Sequence, residues 1–164
     1  MSLLEDINAV NDLLPRYSDY FVIHFDPALL PMFKPRDTDQ TFFDHIPNFD
    51  VVLSGYAEIG HAYYFCYKGK PICIFGVIPL WPGVGETWLI TDVSLADHAR
   101  PFHYTARVML DRFMSELNLV RLQISVHSHN VRAVKWAQSV KFKTEGRMQS
   151  FGPDGNDFFM MARI

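Results

Sequence analysis

The stretch Asn130-Val-Arg-Ala-Val-Lys-Trp-Ala-Gln-Ser-Val-Lys-Phe-Lys-Thr-Glu-Gly146 decides the fold of this chain. Its first part predicts a helix that Ser128 caps and that ends near Val140. The apolar residues of this helix fall on one face: Ala133, Val134 and Ala137. From Phe142 the pattern changes to a strand, predicted over residues 142–151. The stretch therefore predicts a helix followed directly by a strand.

The segments on either side extend this alternation of helices and strands. Residues 120–126 alternate apolar and polar, which predicts a strand. Before them, a helix begins near Pro101, a residue suited to a first helical turn. Its apolar stripe is Phe102, Ala106, Met109, Phe113 and Leu117. After residues 142–151, the turn at residues 152–155 predicts a last hairpin with a strand over residues 156–163.

Three strands come before the Pro101 helix, over residues 63–67, 71–80 and 86–93. Their short connections require antiparallel neighbours, so they form a meander. The passage between residues 86 and 126 is long enough for a parallel crossover. The sequence thus predicts a single α/β domain over residues 1–164, with a mixed sheet flanked by helices.

Residues 1–60 give a weaker pattern. Ser2 and Glu5 form a capping box for an opening helix that stops at Pro15. Residues 21–25 predict a short strand. Prolines interrupt the following residues, where only short helical pieces near residues 27–33 and 41–46 are predicted.

Composition excludes several classes of function. Apolar residues make up 49% of the 164 residues, charged residues make up 20%, and the net charge is −3. No broad basic surface is available for nucleic acid. No apolar run approaches the roughly 18 residues that span a bilayer. The N-terminus lacks the pattern of a signal peptide, so we expect a cytoplasmic protein.

The histidines and cysteines predict no metal site and no disulfide. His127 and His129 flank one residue, but no cysteine or carboxylate cluster completes a tetrahedral set. Cys66 and Cys73 lie in apolar, strand-like sequence and are expected as reduced, buried thiols.

The opening stretch resembles a segment of the GNAT superfamily of acyl-CoA-dependent N-acyltransferases. The matching residues are Asn130, Ala133, Phe142, Glu145 and Gly146. The resemblance covers residues 61–164 and leaves residues 1–60 as a divergent part. It implies a GNAT-like sheet, in which an antiparallel meander is followed by two parallel strands that splay apart around acyl-CoA.

The resemblance also implies the cofactor-binding residues. The pantetheine would pair with the third meander strand at Thr91, Asp92 and Val93. The pyrophosphate would rest on the start of the following helix, where unpaired N–H groups and the helix dipole attract anions. The residues concerned are Arg100, Pro101, Phe102, His103, Tyr104, Thr105 and Ala106. The helix that carries the family likeness adds Asn130, Ala133 and Trp136.

Three departures from the family pattern bear on activity. The family's phosphate loop carries glycines where this chain has His103 and Thr105, whose side chains hinder close approach of phosphate to the backbone. Ala137 occupies the place of a tyrosine that often protonates the leaving thiolate. Lys141 replaces the glycine that usually precedes the phenylalanine.

The remaining catalytic candidates are Glu86, Asp92 and Tyr104. Glu86 is offset by about one residue from the family's usual carboxylate and is otherwise a solvated residue at a strand start. Asp92 ends a strand, where an aspartate commonly forms a turn or cap. Tyr104 is a substitute acid on the loop side.

Three functions follow from the resemblance, the third being a regulator that binds CoA without turnover. The first is an N-acetyltransferase that transfers an acetyl group from acetyl-CoA to an amine on a small molecule or a protein, without a metal. The second is a GNAT-like protein that has lost the chemistry and serves as a structural, internal virion or host-interaction protein. This second hypothesis rests on a weaker resemblance to proteins encoded by bacteriophages. Exposed edge strands and many aromatic residues also make a homodimer an expectation.

Overall fold

A computed structural model describes residues 4–14 and 19–164 of the chain. The helices are α1 (Ile7–Leu13), α2 (Asp37–His45), α3 (Phe49–Ile59), α4 (Ala99–Glu116) and α5 (Val131–Ser139). The strands are β1 (Tyr20–His24), β2 (His61–Tyr67), β3 (Lys70–Trp81), β4 (Val84–Thr91), β5 (Arg121–His127), β6 (Lys143–Met148) and β7 (Phe158–Arg163). Short 3-10 helices cover Pro27–Met32 and Leu95–His98.

The strands form one mixed sheet in the order β1-β2-β3-β4-β5-β7-β6. Strands β1 to β4 are an antiparallel meander, and β5, β7 and β6 are also antiparallel to their neighbours. The parallel pair, β4 with β5, runs in register from Val84 opposite Arg121 to Glu86 opposite Gln123 and then ends. The predicted α/β architecture, with parallel strands that splay apart, is therefore confirmed.

The helices cover both faces of the sheet. One face carries a core in which α1, α4 and α5 pack on the strands. The other face carries a second core with α2, α3 and the first 3-10 helix. Cys73 belongs to the first core and Cys66 to the second, so the two free thiols lie on opposite faces. Burial raises the pKa of the Cys66 thiol to about 11.

The N-terminal half contains more helix than the sequence predicted. Helix α2 begins earlier than the predicted piece at residues 41–46, and α3 was missed altogether. Asn48, which directly follows Pro47, precedes α3 with a left-handed backbone at φ 53°. Phe49 and Leu53 bury one face of α3. Tertiary packing of this face therefore outweighs the breaking tendency of the neighbouring proline.

The opening helix also differs from its prediction. Helix α1 begins at Ile7, because the Asp6 carboxylate accepts hydrogen bonds from the N–H groups of Asn8 and Ala9. The predicted capping serine, Ser2, and the predicted stop at Pro15 lie outside the described residues.

Three boundaries in the C-terminal half are corrected as well. Asn130, and not Ser128, caps α5, and its side chain accepts from the Ala133 N–H at 3.1 Å. Helix α4 begins at Ala99, because the 3-10 helix Leu95–His98 leads directly into it. Strand β6 ends at Met148, because the Asp157 carboxylate accepts from the Ser150 N–H at 2.8 Å and turns the chain.

Lys141 explains why the family pattern has a glycine at its position. It follows α5 in the left-handed region, with φ 75°. Glycine adopts this conformation without the steric cost that a side chain brings.

The helices of the described residues are too short or too polar to cross a membrane.

Candidate functional site

A cleft of about 610 Å³ opens where β4 and β5 separate. The ladder between these strands ends at Glu86 and Gln123, and the strands diverge beyond that pair. Side chains from both strands, from α2, α3, α4 and α5, and from the β6–β7 hairpin line the cleft. Because both cores adjoin it, the cleft passes through the sheet from one helical layer to the other.

Alternation along β4 divides its side chains between the two faces. Trp88 and Ile90 pack with α3, whereas Leu89 packs in the core with α4. Glu86 has the same parity as Trp88 and therefore faces α3. The predicted offset of Glu86 does not remove it from the site, since its side chain lines the cleft.

Glu86 and Tyr56 form a polar pair at the α3 side of the cleft. The Gln123 amide donates a hydrogen bond of 2.9 Å to the Glu86 carboxylate. The Tyr56 ring lies 5.4 Å from the Trp88 ring. Burial, and then the charge of Glu86, raise the pKa of the Tyr56 phenol. At neutral pH Tyr56 is therefore a proton donor beside a carboxylate.

Three buried polar atoms in the cleft wall have no partner within the described residues. They are the indole Nε1 of Trp88, the hydroxyl of Ser125 and the indole Nε1 of Trp136. Buried polar groups are almost always hydrogen-bonded, so such a set calls for an explanation. Each of these atoms is enclosed by protein, so the three are unsatisfied groups of the wall and not contact points for a ligand.

The predicted catalytic residue Asp92 organises a turn and does not line the cleft. It is fully buried. Its carboxylate accepts from the Lys34 N–H at 2.7 Å and from the Ser94 N–H and hydroxyl at 2.9 and 2.6 Å. Burial tends to raise the pKa of Asp92, but these hydrogen bonds outweigh it and hold the pKa below its usual value.

The predicted substitute acid, Tyr104, and the position of the family tyrosine, Ala137, also fall outside the cleft. Tyr104 is half exposed on α4 and is absent from the cleft wall. Ala137, in the place of the family tyrosine, is fully buried in the core. Its neighbour Trp136 lines the cleft and stacks on Phe102, with ring centroids 5.3 Å apart.

The backbone groups predicted to hold pantetheine are already bonded within the chain. Residues 34–39 run beside the end of β4, where the Arg36 N–H donates to the Thr91 carbonyl and the Val93 N–H to the Lys34 carbonyl, both at 2.9 Å. The Asp39 carboxylate accepts from the Thr91 N–H at 2.7 Å. The predicted pairing of pantetheine with Thr91, Asp92 and Val93 is therefore wrong for the backbone groups of Thr91 and Val93 that these bonds occupy.

The backbone of Leu89, in β4, lies beyond the end of the ladder with β5. Successive residues of a strand direct their N–H and C=O groups to opposite edges. The Thr91 groups point toward the β5 edge, and Leu89, two residues earlier, does the same. The last parallel pair is Glu86 with Gln123, so Leu89 lies past it.

The start of α4 lies two residues earlier than predicted. Helix α4 starts at Ala99, and Leu95, Ala96, Ala99 and Phe102 line the cleft. Of the predicted set from Arg100 to Ala106, Phe102 alone reaches this cleft. Thr105 and Ala106 border a separate apolar cavity of about 30 Å³ against the core.

The predicted residues of α5 do come together at the cleft. Asn130, Ala133 and Trp136 all line it. The Asn130 side-chain oxygen is occupied by the helix cap, so this residue shapes the wall mainly by holding the start of α5.

Sequence reasoning missed the contribution of α2 and α3. Both helices lie in the region where the sequence pattern was weakest. The charged residues missed at the cleft are Arg36, Asp39 and Arg132. Burial raises the pKa of Asp39, although hydrogen bonds from Thr91 and the charge of Arg36 act against this.

The histidines do not form a metal centre within residues 4–14 and 19–164, where no group of three metal-ligating side chains occurs. The His127 ring lines the cleft, and its Nδ1 accepts from the His129 N–H at 3.2 Å.

Comparison by sequence finds no protein-family model and no curated protein that matches the chain. Comparison by structure finds similar solved proteins. RimL, a ribosomal alpha-N-protein acetyltransferase in complex with coenzyme A, has a TM-score of 0.69 and 14% identity over 92% of this chain and 97% of its own. An acetyltransferase of the GNAT family from Streptococcus pneumoniae has a TM-score of 0.66 and 14% identity over 88% and 98%. A GNAT family acetyltransferase from Elizabethkingia anophelis with acetyl-CoA bound has a TM-score of 0.64 and 12% identity over 89% and 98%. The chain therefore has the fold of the GNAT acetyltransferases.

Proposed function

We propose that this protein is an acyl-CoA-dependent N-acyltransferase that transfers an acetyl group from acetyl-CoA to a primary amine. The observation that carries the proposal is the cleft of about 610 Å³ at the β4–β5 splay, with Glu86 and Tyr56 in its wall. Neighbours with the same fold include structures in complex with coenzyme A and with acetyl-CoA.

The residues of the cleft suit acetyl-CoA as a co-substrate. The backbone of Leu89 is positioned to pair with the amides of pantetheine in the manner of an added strand. The start of α4, at Ala99, offers helix N–H groups and a positive dipole end to the pyrophosphate. Pro101 contributes no N–H, and the Phe102 N–H belongs to the first intrahelical hydrogen bond, so Ala99 and Arg100 supply the donors. Trp136 and Phe102 form an apolar wall beside this path.

Glu86 is the base in this mechanism. A protonated amine is not nucleophilic, so the acceptor must lose a proton to Glu86, directly or through water. The amine nitrogen then bonds to the carbonyl carbon of the thioester and releases its second proton to water, and the carbon–sulfur bond breaks. The sulfur leaves with the electron pair and takes a proton from the Tyr56 phenol, which lines the cleft beside Glu86 and regains a proton from water. The Gln123 hydrogen bond orients the carboxylate.

Titration calorimetry with acetyl-CoA, together with an assay for release of free thiol with an amine mixture, tests the proposal. We expect binding in the micromolar range and thiol release that depends on amine. The absence of binding at high micromolar acetyl-CoA would overturn the proposal.

A second function is favoured by two specific observations. Residues 34–39 form hydrogen bonds with the backbone groups at the end of β4, and Ala137 is buried where the family has a tyrosine. Both suit a protein that keeps the fold as an interaction scaffold, including a structural or host-directed protein of a bacteriophage. Calorimetry separates the two functions, because a scaffold without chemistry needs no affinity for acetyl-CoA.

The remaining proposals concern the cellular location and the oligomeric state. We propose a cytoplasmic location, where acetyl-CoA is available, and a homodimer as the assembly. Size-exclusion chromatography with light scattering tests the homodimer, which would elute at twice the mass of one chain.

A further inference from the structure

The α2 and α3 side of the cleft has an aromatic wall. The Phe42 ring lies 5.7 Å from Phe49 and 6.3 Å from Phe158. These rings join α2, α3 and β7 across the open face of the sheet. All three line the cleft. Offset and edge-to-face geometries at these distances are those that aromatic rings favour, so a further ring fits the same pattern.

The aromatic wall continues to the rim of the cleft. The Phe158 ring lies 5.5 Å from Phe151 and 5.2 Å from His127. Phe151 is half exposed, on the β6–β7 hairpin. An apolar ring at a pocket mouth, with more than half of its surface in water, is available to a bound molecule.

The cleft also carries a carboxylate. Glu86 faces Tyr56, whose ring contacts Trp88 at 5.4 Å. The cationic side chains of the described lining are Arg36 and Arg132, with His127 at the rim. Arg36 lies beside Asp39, which partly balances its charge. An ammonium group is therefore best placed at Glu86, a carboxylate of the cleft that lies beside Tyr56.

We infer that the acceptor is a primary amine that also carries an aromatic ring, with its ammonium at Glu86 and its ring against Phe42, Phe49 and Phe158. The inference rests on the proposed function and adds the class of acceptor. The same chemistry occurs in free arylalkylamines and at the N-terminus of a peptide that begins with phenylalanine. A polyamine would place several charges on the apolar rings, which costs free energy.

The experiment compares phenethylamine, propylamine, spermidine and a hexapeptide beginning with phenylalanine as acceptors, with acetyl-CoA saturating. Phenethylamine is expected to exceed propylamine and spermidine in kcat/KM by at least about 10-fold, because the ring adds buried apolar area. Equal or higher values for propylamine or spermidine would overturn the inference. A peptide value above that of phenethylamine identifies a protein N-terminus as the source, and a lower value identifies a small molecule.

Two neighbouring residues of α2 provide a matched pair of variants. Phe42 and Phe43 are both partly buried and both contact Phe49, but of the two Phe42 lines the cleft. Phe42→Leu is expected to lower kcat/KM for phenethylamine about 5-fold and that for propylamine less than about 2-fold. Phe43→Leu is expected to leave kcat/KM unchanged for both phenethylamine and propylamine. Equal effects of both variants would contradict the aromatic pocket.

Failure of the proposed function is distinguishable from failure of this inference. Calorimetry with each amine alone measures the pocket without any transfer. If acetyl-CoA does not bind but phenethylamine binds at least about 5-fold more tightly than propylamine, the pocket stands and the transferase does not. If acetyl-CoA binds and phenethylamine shows no preference over propylamine, the inference fails and the transferase stands.

Discussion

The two ends of β4 carry the same kind of residue in opposite surroundings. At its start, Glu86 lies in the wall of the cleft with one hydrogen bond from Gln123. Just beyond its end, Asp92 is fully buried and accepts from backbone and side chain on two sides. A carboxylate with lone pairs to spare can take up a proton from a substrate, whereas a saturated one holds the chain together. The comparison teaches that the number of donors around a carboxylate decides its role.

The largest expected effect is on catalysis at the Glu86 end. Glu86→Gln keeps the shape and the contact with Gln123 but removes the base, so kcat should fall about 100-fold. Steady-state thiol release with phenethylamine measures it. The affinity for acetyl-CoA and the urea midpoint serve as controls and should stay unchanged. An unaltered kcat would mean that the acceptor loses its proton elsewhere.

The next effect is on stability at the Asp92 end. Asp92→Asn replaces a charged acceptor of several hydrogen bonds, so the free energy of unfolding at pH 7 should fall by about 2 to 3 kcal/mol. The pKa of Asp92 is lowered, so its contribution is present above the ordinary aspartate pKa and is lost as pH falls through the folded pKa. Urea unfolding of both proteins should therefore show the difference shrinking below about pH 4.

The exposed Asp97 in the adjoining 3-10 helix gives a matched control. Asp97→Asn should change stability by less than about 0.5 kcal/mol. If the two variants lose the same amount, the hydrogen bonds of Asp92 are not what stabilises the turn.

A smaller effect is expected from Tyr56, which lies beside Glu86. Tyr56→Phe removes the phenol beside Glu86, and kcat should fall about 10-fold if it returns the proton to the thiolate. Tyr104→Phe, on the outer surface of α4, should leave kcat within about 2-fold. Parallel measurements of kcat for the two variants show which tyrosine is the acid. A larger fall for Tyr104→Phe than for Tyr56→Phe would restore Tyr104 as the acid.

The smallest effect concerns Lys70, whose side chain reaches Asp92. The Lys70 ammonium lies 3.5 Å from the carboxylate and is half exposed. Lys70→Gln should cost less than about 1 kcal/mol at low salt and nothing measurable in 1 M salt. A loss as large as that of Asp92→Asn would show that charge pairing, and not the Ser94 and Lys34 hydrogen bonds, dominates this end.

The sequence predicted the C-terminal core well because its signals are local. Alternation in β5 and the apolar stripe of α4 depend on neighbours along the chain, and Phe102, Met109 and Phe113 are buried as expected. The N-terminal helices were harder, since α3 owes its existence to packing of Phe49 and Leu53 on a distant sheet. Cap positions also shifted, because Asn130 and Ser128 are equally good caps until the strand before them has a fixed end.

By itself, the sequence determined the mixed α/β sheet through its periodicity. The splay between β4 and β5 and the positions Asn130, Ala133 and Trp136 followed from the resemblance of a local motif, which also made Glu86 a candidate. Only the tertiary structure decided that residues 34–39 bond to the end of β4, that Asp92 is saturated, and that α2 and α3 supply aromatic rings and Tyr56 to the cleft. Such contacts join residues far apart in the chain, and no local pattern records which distant donor a carboxylate will meet.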